Sequence, residues 1–178
     1  MMRLFVGLGL SEEARVALWS AVSGLGLAGQ LVPRENYHVT MAFLGERDER
    51  QAPRIQRIVE AAAREHAPMT LSISGLGFFG RRENALLYAG LAPCPRLLPL
   101  SDTLRRLLTE AGEAFDPKPF VAHITLARKA NLTQTDLRAP LPTAAFRVGQ
   151  VTLYHSARVR GELRYIPVFQ APLERDDA

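Results

Sequence analysis

Two short stretches of the sequence carry a histidine and a threonine at the same spacing. Residues 36–45 read NYHVTMAFLG, and residues 120–128 read FVAHITLAR. In each stretch the imidazole stands two residues before the hydroxyl, inside an apolar run whose β-branched and aromatic residues favour a β-strand. Because side chains alternate between the two faces of a strand, each stretch should present its imidazole and its hydroxyl on the same face.

Strict alternation assigns every side chain of the two stretches to a face. The polar face of the first stretch carries His38, Thr40 and Ala42, and its core face carries Val39, Met41 and Phe43. The polar face of the second carries His123, Thr125 and Ala127, and its core face carries Ile124 and Leu126. Each strand is therefore expected to offer an apolar face to a core and an imidazole beside a hydroxyl to whatever lies opposite.

Paired imidazoles and hydroxyls suit chemistry at phosphorus. Histidine titrates close to neutral pH, so two imidazoles across a groove can act as general acid and general base. A threonine hydroxyl on the same face, about 6.5–7 Å further along the strand, can donate to a non-bridging phosphate oxygen. If the two strands meet, one phosphate would be held from both sides, which suits in-line displacement without a metal.

The alternative for each histidine is a half-buried structural role. The duplication in equivalent strand settings favours the catalytic interpretation for His38 and His123. His66 and His155 have no threonine two residues further on and are interpreted as structural. Tyr37, Phe79 and Tyr154 are candidates for stacking on a base, with the core as the alternative for each.

The sequence favours no metal and no cofactor. Zinc sites use local pairs of histidine or cysteine, whereas the four histidines here are scattered and Cys94 is the only cysteine. Gly7 and Gly9 lack the third glycine of a dinucleotide-binding fingerprint, and there is no phosphate-binding loop with the Gly-Lys-Ser/Thr ending. A single cysteine permits no intrachain disulfide, and no apolar run approaches the ~20 residues of a membrane span. We therefore expect a cytoplasmic protein with no membrane contact and no obligate protein partner.

Positive charge is concentrated in the last third of the chain. The net charge is +4, but residues 117–170 contain eight cations and two acids. That excess favours an anionic partner such as nucleic acid or phosphate. A solvated basic surface is an equally good explanation of the excess when it is taken alone.

The remaining periodicity predicts the order β-α-β-α-β-β-α-β-β-β. Ser11 is the expected N-cap of the first helix, the second helix begins near Pro53, and the third extends through Phe115 to a stop at Asp116-Pro117. The strands are predicted at 2–9, 38–44, 69–79, 84–91, at the second histidine stretch, and at 146–155 and 163–171. The motif strands lie 85 residues apart and each follows a helix, which indicates a weak duplication into two facing α+β lobes. Residues 1–178 are interpreted as one domain, with a disordered tail from about 174.

These motifs carry a family resemblance. The paired runs HVTMAFLG and HITLAR resemble those of the 2H phosphoesterase superfamily, in particular its RNA 2′,3′-cyclic phosphodiesterases, which are historically called 2′-5′ RNA ligases. The resemblance covers nearly the whole chain and includes residues 3–6, 36–38, 87–91 and 153–156, with Arg164 and Tyr165 following. Two positions depart from the family pattern: Met41 replaces a leucine, and Ala122 stands where a proline commonly precedes the second histidine.

The resemblance implies a fold, a reaction and a set of roles. The fold would be bilobal α+β, with two pseudo-symmetric lobes of antiparallel sheet, helices packed outside, and a central cleft carrying the two motif strands. The reaction would be metal-independent opening of a terminal RNA 2′,3′-cyclic phosphate to a 2′-phosphomonoester, together with reversible 2′-5′ RNA ligation. His38 would protonate the departing 3′ oxygen, and His123 would activate water.

The remaining site residues also come from the resemblance. Thr40 and Thr125 would hold the phosphate oxygens. Arg128 matches the arginine that follows the second family motif, but strict alternation from His123 turns it away from the cleft unless a bulge intervenes. Two other functions stay open: a phosphodiesterase acting on small cyclic phosphates or nucleotides, and a non-catalytic protein that binds RNA ends.

Overall fold

The computed structural model describes residues 1–142 and 144–176, which form three α-helices and nine strands. The helices are α1 (Glu12–Ser23), α2 (Ala52–Arg64) and α3 (Leu97–Glu110). The strands are β1 (Met2–Gly9), β2 (Ala28–Leu31), β3 (His38–Arg47), β4 (Met69–Arg81), β5 (Asn84–Leu91), β6 (His123–Asn131), β7 (Ala145–Val148), β8 (Gln150–Val159) and β9 (Glu162–Pro172). This content confirms the α+β class.

The strands form one antiparallel sheet in which three strands lie on each side of a central pair. That order is β7-β4-β5-β6-β3-β1-β8-β9, and β2 pairs with β6 off this path. The two motif strands, β3 and β6, are neighbours and pair through Val39 and Ile124. Outward from this central pair, each half continues with three further strands. The duplication inferred from the sequence is therefore visible in the strand order.

The helices pack on the sheet face opposite the motif histidines and threonines. Val39, Ile124 and Leu126 are fully buried in one core together with Leu104 of α3 and Val59 of α2. Helix α3 contacts β3, and α2 contacts β8 and β9. None of the helices in the described ranges combines the length and the apolar character needed to cross a membrane.

Local signals in the sequence predict the first helix well. The Ser11 hydroxyl accepts a hydrogen bond from the Ala14 N–H at 3.2 Å, which confirms the predicted N-cap. The third helix, in contrast, ends at Glu110 rather than near Phe115. Gly112 has a φ of +71°, the left-handed geometry that ends helices, so the apolar stripe outlasts the helix itself.

Two further expectations need correction. The order has an additional strand, β2, whose four residues, AGQL, are too few to give an alternation signal. The single strand predicted at 146–155 is two strands separated by Gly149, and these lie in opposite halves of the sheet: β7 pairs with β4 and β8 with β1. Within the tail predicted to be disordered from about 174, the Arg175 N–H donates to the His66 carbonyl at 3.2 Å. Residues 177 and 178 lie outside the described residues, and the disorder of the tail stays a prediction.

Each motif strand contains a β-bulge directly after its threonine. As β1 advances from Val6 to Gly7, its partner in β3 changes from Ala42 to Thr40, so Met41 is the extra residue. As β5 advances by one residue, its partner in β6 changes from Ala127 to Thr125, so Leu126 is the extra residue.

The carbonyl groups of the extra residues find partners outside the strand pairs that the bulges interrupt. The Arg105 side chain of α3 donates to the Met41 carbonyl at 3.1 Å. The Val32 N–H donates to the Leu126 carbonyl at 2.8 Å. Such partners stabilise a bulge, because a buried carbonyl without a hydrogen bond is costly.

The bulges reverse the expected faces beyond each threonine. Ala42 and Ala127 are buried in the core, although alternation placed them beside the threonines. Phe43 and Arg128 instead turn toward the face of the histidines, where both line one cleft. The faces predicted for Ala42, Phe43 and Ala127 are therefore wrong. Arg128 reaches the cleft because β6 contains the bulge without which strict alternation would turn it away.

Gly7 allows β1 to approach β3 closely at the first bulge. A Cβ added at Gly7 would stand 2.6 Å from the Val39 carbonyl oxygen, so the strands would have to separate. We expect Gly7→Ala to lower the free energy of unfolding by about 1–3 kcal/mol, measured by urea denaturation. Gly149→Ala is the matched control, since its added Cβ would meet no atom within 4 Å. Equal losses in the two variants would contradict this account of the bulge.

Candidate active site

A cleft of about 610 Å³ opens along the face of the two motif strands. All five site residues named from the sequence line it: His38, Thr40, His123, Thr125 and Arg128. Because β3 and β6 pair antiparallel through Val39 and Ile124, the two motifs run in opposite directions past one another. The sheet thus brings both imidazoles and both hydroxyls to one cavity. His66 and His155 are not among the residues that line it, and His66 Nε2 lies 2.8 Å from the Thr103 hydroxyl.

Each of the two imidazoles makes the same kind of hydrogen bond, from Nδ1 to a backbone carbonyl. His38 Nδ1 lies 2.7 Å from the Asn36 carbonyl oxygen, and His123 Nδ1 lies 2.7 Å from the Val121 carbonyl oxygen. A carbonyl oxygen can only accept, so Nδ1 carries a proton in both rings. Nε2 is therefore the nitrogen that each ring has available for proton transfer. His38 Nε2 lies 2.8 Å from the Thr40 hydroxyl.

The surroundings of His38 disfavour its charged form. Its pKa falls from 6.5 to about 4, chiefly because burial removes water from the ring. The hydrogen bond to the Asn36 carbonyl opposes this change, while the positive charges of His123, Arg15 and Arg128 lower the pKa further. His38 is therefore neutral at pH 7 in the free protein.

Aromatic rings surround both imidazoles. The His38 ring lies 4.7 Å from the Phe5 ring and 5.0 Å, edge to face, from the Tyr165 ring. The His123 ring lies 5.2 Å from Phe79 and 5.5 Å from Tyr88. These contacts limit ring rotation on each side of the cleft.

The three candidates for base stacking fall into two groups. Tyr37 and Tyr154 are 1% and 7% exposed and belong to the interior, which favours the core alternative for both. Phe79 is 40% exposed beside His123, so it alone of the three offers an accessible ring face.

Asn36 connects the His38 turn to the far end of the sheet. Its buried side chain donates to the Leu163 carbonyl at 2.8 Å and accepts from the Tyr165 N–H at 3.3 Å. The Asn36 backbone thus orients the imidazole, while its side chain fixes β9, the strand that carries the Tyr165 ring. Arg15 holds the same turn from α1 by donating to the carbonyls of Arg34 and Glu35, each at 2.9 Å.

The charge of the cleft lining has one sign. Arg3, Arg128 and Arg158 line it together with the two histidines, and none of the described aspartates or glutamates does. Such a lining attracts an anion. Within the ranges 1–142 and 144–176, no group of three histidine, cysteine or acidic residues is placed to hold a metal ion.

Comparison with known proteins agrees with this fold. The family model described as "2'-5' RNA ligase superfamily" matches residues 12–160. The chain belongs to this superfamily.

Relatives within the superfamily are similar over much of the chain. A protein of Escherichia coli K12 named RNA 2',3'-cyclic phosphodiesterase is 32% identical over 170 residues, 93% of either chain. A protein of Geobacillus stearothermophilus with the same name is 30% identical over 162 residues, but this chain spans only about half of it (51%). The crystal structure of E. coli LigT complexed with 3'-AMP superposes with a TM-score of 0.83 at 28% identity, covering 98% of this chain and 99% of that one.

Several cleft residues of this superfamily member were not singled out as site residues from the sequence. Arg3, Phe5 and Arg158 line the cleft. Arg3 and Phe5 belong to residues 3–6 of the family resemblance, but neither was given a role there. For Arg3 and Phe5, the alternation of apolar residues along β1 was the signal that could have placed them on the cleft face. Leu4, Val6 and Leu8 are fully buried, so Arg3 and Phe5 must lie on the face that β3 uses for His38.

The pKa of His38 supplies a direct test of this environment. We expect the His38 imidazole of the free protein to titrate near pH 4, and to titrate higher when adenosine 2′-monophosphate is bound, because an adjacent anion favours the imidazolium. The measurement is NMR of the ring protons through the acidic range, with His38→Gln identifying the resonance. A midpoint near 6.5 in the free protein would contradict the account.

The same shift makes stability depend on pH. Since the pKa of His38 in the folded protein lies below 6.5, the unfolded chain binds more protons than the folded chain as pH falls below 6.5. Protonation of His38 therefore lowers the free energy of unfolding in that range.

Proposed function

We propose that this chain hydrolyses RNA 2′,3′-cyclic phosphate ends to 2′-phosphomonoesters. The observation that carries the proposal is the pair of imidazoles in one cationic cleft, each with Nδ1 on a backbone carbonyl and Nε2 available for proton transfer. The relatives named RNA 2',3'-cyclic phosphodiesterase support the choice of substrate. The proposed setting is the cytoplasm, in which the free Cys94 stays reduced.

In the proposed reaction, water attacks phosphorus and the bond from phosphorus to the 3′ oxygen breaks. His123 Nε2 takes the proton of the water, and His38 Nε2 gives a proton to the 3′ oxygen. His38 is neutral in the free protein, so it must acquire that proton as the substrate anion binds. The bound anion favours the imidazolium, which can then donate from Nε2 to the departing 3′ oxygen.

Thr40, Thr125 and Arg128 are proposed to hold the non-bridging phosphate oxygens. In the free protein the Thr40 hydroxyl is hydrogen-bonded to His38 Nε2 at 2.8 Å. A bound phosphate oxygen would replace Nε2 as the acceptor of this hydroxyl, which frees Nε2 for the 3′ oxygen. Arg128 adds a guanidinium, whose N–H groups match the geometry of phosphate oxygens.

The same cleft supports a second reaction of the same type. If a 5′-hydroxyl of RNA replaced water as the nucleophile, in-line attack with the 3′ oxygen departing would give a 2′-5′ linkage. Ligation therefore needs no further catalytic group, only a second RNA end beside His123. The concentrations of that end and of water decide the balance between ligation and hydrolysis.

Removing either imidazole tests the proposed catalysis. We expect His38→Ala and His123→Ala each to lower turnover on an RNA 2′,3′-cyclic phosphate by roughly 10²–10⁴ while the fold persists, because each removes one proton transfer. Circular dichroism checks the fold. His66→Ala is the control, since His66 contacts Thr103 and is not part of the cleft lining. Turnover should continue in EDTA, and full activity of His123→Ala would contradict the proposal.

A substrate with sulfur in place of the 3′ oxygen separates the acid from the base. A thiolate leaves without protonation, so the variant that lacks the acid should recover most of its turnover and the variant that lacks the base should not. We expect recovery in His38→Ala alone. Recovery in His123→Ala alone would reverse the two roles. Recovery in neither variant would mean that neither histidine is the general acid.

A further inference from the structure

Two arms form the cleft: the first is the motif of β3 that begins at His38, and the second is the motif of β6 that begins at His123. These arms differ at one equivalent position. Phe43 follows His38 by five residues, and Arg128 follows His123 by five residues. Both turn into the cleft because each strand has its bulge at the same place after the threonine. The first arm therefore carries an aromatic ring where the second arm carries a guanidinium.

A neighbouring strand brings a guanidinium to the first arm. The Arg3 Cζ atom lies 5.0 Å from the centroid of the Phe43 ring, an arrangement that attracts and orients the cation. Arg3 lines the cleft. Glu46 is its register partner on β3, but within residues 1–142 and 144–176 no carboxylate forms an ion pair with the Arg3 guanidinium. Its charge is therefore available to a ligand in the cleft.

Arg3 lies beyond the space where the reacting phosphate would sit. On β1, Phe5 separates Arg3 from Gly7 and Gly9, which pair with Thr40 and His38. The Phe5 ring already packs 4.7 Å from the His38 ring, and Arg3 is two residues, about 6.5–7 Å, further along the same face. A phosphate held at Arg3 would thus be a different one from that held between the imidazoles.

We propose that Arg3, oriented by Phe43, binds the phosphodiester that joins the terminal nucleotide to the rest of an RNA chain. This inference rests on the proposed function and specifies its substrate class. The reacting cyclic phosphate lies between the histidines, and the next phosphate toward the 5′ end lies at Arg3. The chain accordingly selects oligoribonucleotides with a 2′,3′-cyclic phosphate over nucleoside 2′,3′-cyclic phosphates, which lack that second phosphate.

The test compares two substrates, adenosine 2′,3′-cyclic phosphate and the dinucleotide ApA with a 2′,3′-cyclic phosphate. The readout is the ratio of kcat/KM for the dinucleotide to kcat/KM for the mononucleotide. We expect Arg3→Gln to lower this ratio by roughly tenfold, because it removes one charge-assisted phosphate contact. Arg3→Lys should retain most of the ratio. Arg57→Gln, an exposed arginine on α2 that does not line the cleft, should leave the ratio unchanged.

A methylphosphonate in place of the internal phosphodiester removes the charge from the ligand instead of from the protein. The wild-type ratio should fall by the same factor with this dinucleotide, and Arg3→Gln should cause no further fall. An unaltered ratio in an active Arg3→Gln protein overturns the Arg3 assignment and leaves the proposed function intact. If the wild type hydrolyses neither cyclic phosphate, the proposed function fails and the subsite fails with it.

Discussion

The hydrogen bond from each cleft imidazole to a backbone carbonyl is the interaction on which the site depends. Asn36 and Val121 accept from Nδ1 of His38 and His123 at the same distance, 2.7 Å. Each bond fixes the tautomer and the ring plane, so both Nε2 atoms are available to one volume. The local chain supplies both partners, since each carbonyl belongs to the residue two positions before its histidine. The Asn36 side chain is itself fixed on β9, and Arg15 holds the carbonyls of the two residues before it. These contacts tie the centre of the sheet, where β3 lies, to its β9 edge.

The pairing of β3 with β6 brings the two histidine-threonine motifs together in one site. Val39 and Ile124 hold the strands antiparallel at the centre of the sheet, so each motif meets the other in reverse direction. The bulges then change the chemistry of the cleft walls. They move the alanines after each threonine into the core and turn Phe43 and Arg128 outward. The positions proposed for catalysis, anion binding and selectivity therefore follow from one strand pair and one repeated bulge.

Sequence reasoning succeeded where the determinant was local. The His-Thr spacing and the Ser11 cap depend on residues a few positions apart. It failed where pairing with a distant strand decides the outcome. Strict alternation placed Phe43 in the core because the bulge is a property of the register with β1, which one strand's sequence does not contain. The division of residues 146–155 between β7 and β8 likewise follows from partners in opposite halves of the sheet.

The most direct test of the central claim follows the bond that breaks. An RNA oligonucleotide ending in a 2′,3′-cyclic phosphate is incubated with the protein in ¹⁸O-labelled water, and the end group is identified by ³¹P NMR and mass spectrometry. We expect a 2′-phosphomonoester carrying one ¹⁸O atom, since water is the nucleophile and the 3′ oxygen departs. A 3′-phosphomonoester, or tight binding of an end that stays cyclic, would contradict it.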